Sequence, residues 1–429
     1  MRALLVLPAA LLAGGCVHLG AKPMTFRCGP LLADNVETYK GNPLIAQLQR
    51  DAGSDDADGS AAFASGSTAE ADAVDTERDQ VIRALREPKQ GREEAAARVA
   101  PSTLMLSGGG SWGAFGAGFL KQLGKSDWRV VTGVSTGSLQ GLFVAAGDYD
   151  RMVKEYRIGA QDDLALTNGL LSMLAKGSEY DLAPLRAKLF GYLLGGGEAE
   201  VPFLRLARPS APHLFIGMVE AGTGDLKVVS ITNMVRSVYV EGVTPDPAKV
   251  KELADCVAGV ALASSSIPVR LTPVQIDGRT YIDGGVRSSV FHAGVARRHA
   301  LLSQTGPAPD IYVIRNGPTV VFGDKKEDSV RKVDVRPDLL RVGLRGYSTI
   351  VNQSELMSIA ALRLIYPRGT IRVMTADGFN TRPDNPAPCG ERPESVFEPA
   401  FMSCLIRWGS YKAAPAPNWI ELGQVQERR

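Results

Sequence analysis

Apolar and polar positions follow two different periods along the middle of the chain. Short, nearly continuous apolar runs of strand length are separated by stretches in which apolar residues recur at helical spacing. The strand-like runs are 103–106, 129–132, 213–218, 226–231, 273–277 and 311–315. Strands that alternate with helices predict a mostly parallel sheet covered on both faces, so we expect an α/β protein of the three-layer α/β/α kind.

The N-terminus carries a pattern typical of bacterial export signals. One positive charge at Arg2 precedes an apolar run from residue 3 to 13, which is too short to span a bilayer as a helix. Small residues then lead to Cys16, as in a lipoprotein signal. We expect lipidation of Cys16 and a cell-envelope lipoprotein, on the outer membrane or the periplasmic face. An ordinary signal peptide with an incidental cysteine is the alternative.

Composition changes sharply between Asp51 and Asp75, where bulky apolar residues almost vanish. Such a segment cannot bury enough surface to offset its ordering entropy, which predicts a flexible tether between an anchored Cys16 and the globular part. The predicted domains are a signal peptide at 1–15, an N-terminal segment at 16–50, a low-complexity linker with a polar helix at 51–100, a central domain at 101–320 and a helical C-terminal extension packed on it at 321–429.

Charge and cysteine content narrow the class of protein. The formal net charge of +2 argues against nucleic-acid binding. Cys389 and Cys404 flank a turn and a helical pattern, so they could pair in an oxidising compartment, whereas Cys256 is expected to be a small buried side chain. No Cys/His cluster is present in the sequence, so we expect no structural zinc site. The candidate chemistry considered below needs no metal and no organic cofactor.

Candidate chemistry begins at Gly133-Val134-Ser135-Thr136-Gly137, which fits Gly-x-Ser-x-Gly. Glycines at Gly133 and Gly137 allow a tight strand-to-helix turn that exposes a nucleophilic hydroxyl. The pentapeptide follows a predicted strand and opens a predicted helix, as this chemistry requires. The alternative role for Ser135 is a helix N-cap after a glycine turn.

A glycine-rich loop follows the preceding strand and includes Gly108, Gly109, Gly110 and Gly113. Consecutive glycines let backbone amides approach a reacting oxygen, which suits an oxyanion hole. The same letters satisfy the dinucleotide fingerprint Gly-x-Gly-x-x-Gly, which needs an acidic residue at the end of the next strand. Asp127 precedes that strand, so the dinucleotide interpretation is disfavoured.

Asp283-Gly284-Gly285 is the third candidate, and it follows a predicted hairpin with an Asp-Gly turn at residues 277–278. A carboxylate at a strand end, with glycines beside it, can act as a general base toward a serine hydroxyl. The alternative is an ordinary turn residue.

Taken together and in this order, the three motifs resemble the patatin-like phospholipase family. Segments 180–185, 222–227 and 263–268 add to the likeness, which covers about residues 103 to 320. The resemblance implies a patatin-like fold and a dyad in which Ser135 is the nucleophile, Asp283 the base and Gly108 to Gly110 the oxyanion hole. It also implies hydrolysis of acyl esters of lipids, in the manner of a phospholipase A or lysophospholipase. Trp112 stands where the family usually has Arg or Lys.

Two rival functions remain from the sequence. One is a Ser-His-Asp esterase, for which His292 and His299 follow Asp283 in the required order and His213 precedes it. The other is a non-catalytic envelope lipoprotein. The Leu-rich stretch 164–194 is either a lid or acyl-chain groove, or ordinary helical core.

Overall fold

The computed structural model describes residues 23–40, 102–168, 178–196, 200–291, 309–319, 339–366, 369–381, 384–391, 393, 395–414 and 416–423. The strands are β1 (Met24–Phe26), β2 (Val36–Tyr39), β3 (Ser102–Leu106), β4 (Val130–Val134), β5 (Leu166–Thr167), β6 (Tyr180–Asp181), β7 (His213–Glu220), β8 (Leu226–Ser230), β9 (Val274–Ile276), β10 (Arg279–Asp283), β11 (Asp310–Ile314), β12 (Thr370–Met374) and β13 (Ile420–Glu421). The helices are α1 (Pro30–Ala33), α2 (Gly113–Leu123), α3 (Thr136–Ala145), α4 (Tyr149–Tyr156), α5 (Ala183–Leu193), α6 (Pro202–Ala207), α7 (Ile231–Val238), α8 (Pro247–Ser264), α9 (Leu339–Ile365) and α10 (Pro399–Ala413).

One sheet holds all of these strands except β5 and β6, which pair with each other. Its centre is the parallel run β7-β4-β3-β11-β12, and antiparallel strands flank it. The strands β9 and β10 form the predicted hairpin, whose turn residues Asp277 and Gly278 both have positive φ, at 50° and 80°. Positive φ at both central residues is the geometry that an Asp-Gly turn favours.

Side chains on successive strand positions enter different layers, as the alternation along β3 shows. Leu104 and Leu106 belong to the main core, which contains buried residues of α2, α3, α8 and α10, while Met105 points to the opposite face. There it packs with Ile359 and Leu362 of α9. The predicted three-layer α/β/α fold with a mostly parallel central sheet is therefore confirmed.

The N-terminal strands are part of this sheet. The strand β1 pairs with β9, and β2 pairs with β8. A disulfide joins Cys28 to Cys256 of α8, so Cys256 is buried as predicted but also cross-linked. The tether prediction is wrong in one respect, because the chain enters the sheet at Met24, before the low-complexity segment begins. Residues 41–101, which contain that segment, instead connect β2 to β3; they lie outside the described residues, as do residues 1–22.

The C-terminal segment contributes more than helices. The strand β12 extends the parallel sheet beside β11, and α10 packs against α2. Cys389 and Cys404 form a second disulfide, the pairing that the sequence left open. Within the described residues, no helix combines the length and the apolar character that crossing a membrane requires.

Candidate active site

The topology brings Ser135 and Asp283 to one junction in the sheet. The strand β7 pairs with β4 as far as Gly217, opposite Val134. From Met218 onward the same side of β7 pairs with β10, and Met218 lies opposite Asp283. Since β4 and β10 approach from opposite directions, the strand that precedes Ser135 and the strand that ends in Asp283 meet end to end along β7.

Ser135 sits on a strained turn between β4 and α3. Its φ is 56° and its ψ is −128°, a conformation that residues other than glycine rarely adopt. Its amide donates to Ser264 Oγ at 2.9 Å, and Ser264 Oγ donates to the carbonyl of Gly217 at 2.6 Å. The C-terminal residue of α8 therefore holds the nucleophile turn in place.

Glycines of the motifs are required by close backbone approaches at this turn. A Cβ at Gly133 would overlap the carbonyl of Gly137, and a Cβ at Gly137 would overlap the carbonyl of Leu106. Gly284 has a similar constraint, because a Cβ there would lie 2.5 Å from the carbonyl of Gly217. Side chains at these positions would push the strand ends apart and disturb the junction.

Asp283 is buried and hydrogen-bonded to the Ser135 side chain. Its Oδ1 also accepts the amide of Gly285 at 2.7 Å. Burial raises the pKa of Asp283 to about 6, against the lowering effect of these two hydrogen bonds, and the charge of Glu355 raises it further. The carboxyl can therefore exchange a proton near neutral pH, as a general base must.

The glycine loop lies beside this pair, and its three glycines differ. The amide of Gly108 donates to Ser289 Oγ at 2.9 Å, so that donor is already engaged. Gly109 and Gly110 follow with φ of 150° and 60°, and both line the same cavity as Ser135 and Asp283. Gly113 begins α2, where a Cβ would overlap Thr136 Oγ1. The oxyanion hole at Gly108 to Gly110 stays a prediction, and because the Gly108 amide is engaged it would use the amides of Gly109 and Gly110.

Two buried amide side chains support the loop from outside, and sequence reasoning missed both. Asn316 Nδ2 donates to the carbonyl of Ser107 at 2.7 Å and to Gln140 Oε1 at 2.8 Å. Gln140 Nε2 in turn donates to the carbonyl of Gly113 at 2.7 Å. A Cβ at Gly109 would overlap the backbone oxygen of Asn316, so Asn316 also fixes how closely the loop packs. Neither residue belongs to a local motif that could have signalled this role.

Trp112 points into the core. It makes edge-to-face contacts with Phe379 at 4.8 Å and Phe401 at 5.2 Å between ring centroids, and only 5% of it is exposed. Trp112 therefore makes an apolar contact that joins the glycine loop to the C-terminal segment.

Two cavities meet at Ser135. The first is lined mainly by apolar residues of α3, α5 and their neighbours. Its lining includes Leu139, Phe143, Leu164, Leu182, Leu185, Leu189, Tyr192, Ile267, Leu271 and Met402. The second is more polar and is lined by Asp283, Arg315, Asn316 and Glu355 among others. The Leu-rich stretch 164–194 thus contributes both to the core and to an apolar cavity at the nucleophile.

The described histidine cannot complete a triad. His213 begins β7 opposite Val130, at the far end of β4 from Ser135. Five residues of strand at about 3.3 Å each separate the two, roughly 16 Å. His18, His292 and His299 lie outside the described residues.

Comparison with known proteins identifies a protein family that matches the central part of the chain. Residues 104–296 match the sequence model of patatin-like phospholipases. The chain carries a patatin-like phospholipase domain. The resemblance inferred from the motifs is confirmed, and the family supports lipid acyl hydrolysis as the activity of the domain.

Other comparisons add little to the patatin-like domain. No protein with a curated description matches the chain. Among solved structures, VipD from Legionella pneumophila is similar at 13% identity and a TM-score of 0.32, covering 73% of this chain and 67% of VipD. That similarity is too low to carry an argument of its own.

Proposed function

We propose that this protein is a serine acyl hydrolase that cleaves lipid esters through a Ser135–Asp283 dyad, in the manner of a phospholipase A or lysophospholipase. The hydrogen bond between Ser135 and a buried Asp283 carries the proposal. Asp283 takes the hydroxyl proton as Ser135 Oγ attacks the ester carbonyl. The amides of Gly109 and Gly110 hold the oxyanion.

The dyad can also complete the reaction. Collapse of the tetrahedral intermediate breaks the ester bond, and protonated Asp283 returns the proton to the leaving alcohol. Water then attacks the acyl-serine with Asp283 again as base, which releases the fatty acid and restores Ser135. The apolar cavity supports a long acyl chain as the group that is transferred, because its lining offers few polar partners. The proposed substrate is therefore a lipid ester, and the proposed reaction needs no metal or organic cofactor.

Variants of the dyad test this function. We expect Ser135→Ala and Asp283→Asn each to lower kcat on a soluble aryl ester by more than about a thousandfold, since each removes an essential part of proton transfer. His213→Ala, His292→Ala and His299→Ala should keep most of the parental kcat. A fluorophosphonate probe should label the parent but not Ser135→Ala.

Other outcomes would favour the rivals. A folded His292→Ala or His299→Ala variant as inactive as Ser135→Ala would replace the dyad by a Ser-His-Asp triad. A parent protein that neither labels nor hydrolyses esters would support a non-catalytic lipoprotein instead.

We also propose that the protein is an exported lipoprotein anchored to the cell envelope through Cys16, on the outer membrane or the periplasmic face. Two disulfides support an oxidising compartment. Cys16→Ser should release the mature protein to a soluble fraction or leave its precursor unprocessed. Normal processing with unchanged membrane association would contradict the proposed anchor.

A further inference from the structure

A buried ion pair lies beside the dyad and has no part in the chemistry proposed above. Arg315 follows the end of β11, and Glu355 lies in the middle of α9. Arg315 Nε is 3.0 Å from Glu355 Oε1, and the two side chains are 5% and 7% exposed. Both residues line the polar cavity that also contains Ser135 and Asp283. Burying two charges costs several kcal/mol before their attraction is counted, so an ion pair at this position is weak evidence of stabilisation.

Glu355 reaches the glycine loop through two serines. Hydrogen bonds from Ser289 and Ser107 stabilise its carboxylate and oppose the rise in pKa that burial causes. Ser289 Oγ also accepts the amide of Gly108 at 2.9 Å. A chain of hydrogen bonds therefore runs from the amide of Gly108 through Ser289 to Glu355, and such chains strengthen each member.

Ser107 provides the second path. Its hydroxyl lies 2.8 Å from the carbonyl of Gly108 and accepts the amide of Asn316 at 2.9 Å. Since Ser107 has one hydroxyl proton, it can bond either Glu355 or the Gly108 carbonyl at a given moment. The amide and the carbonyl of Gly108 thus each contact a serine that also contacts the buried carboxylate of Glu355. Gly108 directly precedes the two glycines whose amides form the proposed oxyanion hole.

Arg315 holds that carboxylate in place, and its charge opposes the rise in the pKa of Glu355 that burial causes. Beyond the contact with Glu355, its Nη2 donates to Asn352 Oδ1 and its Nη1 to the carbonyl of Pro318. Asn352 lies one helical turn before Glu355 on α9, so the guanidinium joins this helix to the end of β11. The fixed fork of an arginine suits such a role, because several donors hold a single geometry.

We propose that Glu355 is a positioning residue for acyl transfer, which holds the glycine loop through Ser107 and Ser289 with Arg315 as its counter-ion. The inference rests on the proposed hydrolase function, because the loop matters only if it binds an oxyanion. Glu355 touches no reacting atom in this scheme. Its loss should therefore lower kcat more than it changes KM.

The pH profile separates positioning from a structural role. The titratable groups coupled to Asp283 are Glu355 and Tyr347, both on α9, while Arg270 of the same cavity is paired with Glu179. The charge of Glu355 raises the pKa of Asp283. Glu355→Gln removes that charge and leaves Arg315 without its partner, and both changes favour ionised Asp283. The acid limb of kcat/KM should then move to lower pH.

The experiment compares variants on a short-chain aryl ester across pH 4 to 9. We expect Glu355→Gln to lower kcat by about ten- to a hundredfold, because small displacements of catalytic groups have effects of this size. KM should change by less than about threefold, because a positioning residue affects the chemical step more than it affects substrate binding. Glu220→Gln is the matched control, since Glu220 is a buried, ion-paired carboxylate of the same sheet. It should leave kcat and the acid limb unchanged.

Ser289→Ala provides a test that leaves the ion pair intact, so it still decides the question if Glu355→Gln fails to fold. It should lower kcat about tenfold or more, whereas Ser288→Ala, whose hydroxyl donates to the carbonyl of Val290, should not. A folded Glu355→Gln with kcat within twofold of the parent and an unmoved acid limb would overturn the proposal. So would equal kcat values for Ser289→Ala and Ser288→Ala. If the parent itself fails to label with fluorophosphonate, the hydrolase function fails instead.

Discussion

The burial of Asp283 serves catalysis but opposes the stability of the folded protein. Its position at the junction of β4 and β10 buries it, and burial raises its pKa to about 6. A carboxyl with this pKa can accept the Ser135 proton and return it to the leaving group near neutral pH. The same burial makes its ionised form costly to the folded state.

Asp283→Asn should therefore stabilise the protein at neutral pH while it abolishes catalysis. Well below pH 3.8 the carboxyl is neutral in both the folded and the unfolded state, and above pH 6 the folded state bears the full cost of the charge. The difference between an ordinary pKa of 3.8 and the raised value of about 6 corresponds to on the order of 3 kcal/mol in the free energy of unfolding.

Thermal unfolding of parent and Asp283→Asn at pH 4 and pH 8 measures this effect. The gain in Tm should be present at pH 8 and largely absent at pH 4. A gain of equal size at both pH values, or none at pH 8, would show that Asp283 is not held in a destabilising ionised form.

Residues of the site were predictable where a local pattern marks them. Ser135, Asp283 and the motif glycines stand in short segments whose spacing reflects tight turns and close backbone approaches. Gln140, Asn316 and Glu355 carry no such mark. They reach the glycine loop only because distant elements pack together; Gln140 and Asn316 are 176 positions apart.

The central strands β3, β4 and β7 were predictable because each is a largely apolar run that is buried on both faces. Strand β3 begins one residue earlier than predicted and β4 extends two residues further. The short strands β1 and β2 have no such run, and they form because β9 and β8 offer them paired edges. Tertiary pairing, rather than local preference, determines these elements.

The helix α5 has a double role, since it contributes both to the core and to the apolar cavity. Leu189 and Tyr192 are buried, whereas Leu185 is partly exposed and lines the cavity. The depth available to an acyl chain therefore depends on side chains of this helix.

Leu185→Trp should shorten the cavity and change acyl-chain preference. We expect kcat/KM for long-chain esters to fall about tenfold or more, with short-chain esters changed less than about threefold, because a bulky ring removes apolar contact area. Esters of one alcohol with chains of increasing length give the measurement. Leu204→Trp on α6, where Leu204 is 44% exposed and outside the cavity, is the control. Equal losses for all chain lengths would show that the acyl chain lies elsewhere.

The whole molecule departs from the order that composition suggested. The sequence predicted a signal peptide, an N-terminal segment at 16–50, a low-complexity linker that serves as a tether, and then a globular domain. Composition can indicate where a core is absent, but it carries no information on which strands the flanking segments join. Residues 23–40 enter the main sheet, so an anchor at Cys16 would be separated from β1 by only seven residues.

A disulfide joins Cys28 to Cys256 across 228 positions of sequence. Cys28 precedes residues 41–101 and Cys256 follows them. A single protease cut within 41–101 would therefore leave two polypeptides that remain covalently joined. After such a cut, the nicked protein should migrate as one band on a non-reducing gel and as two under reduction. It should also keep its esterase activity until reduced, because β1 and β2 stay in register with β9 and β8. Two bands without reductant would show that the cross-link is not formed.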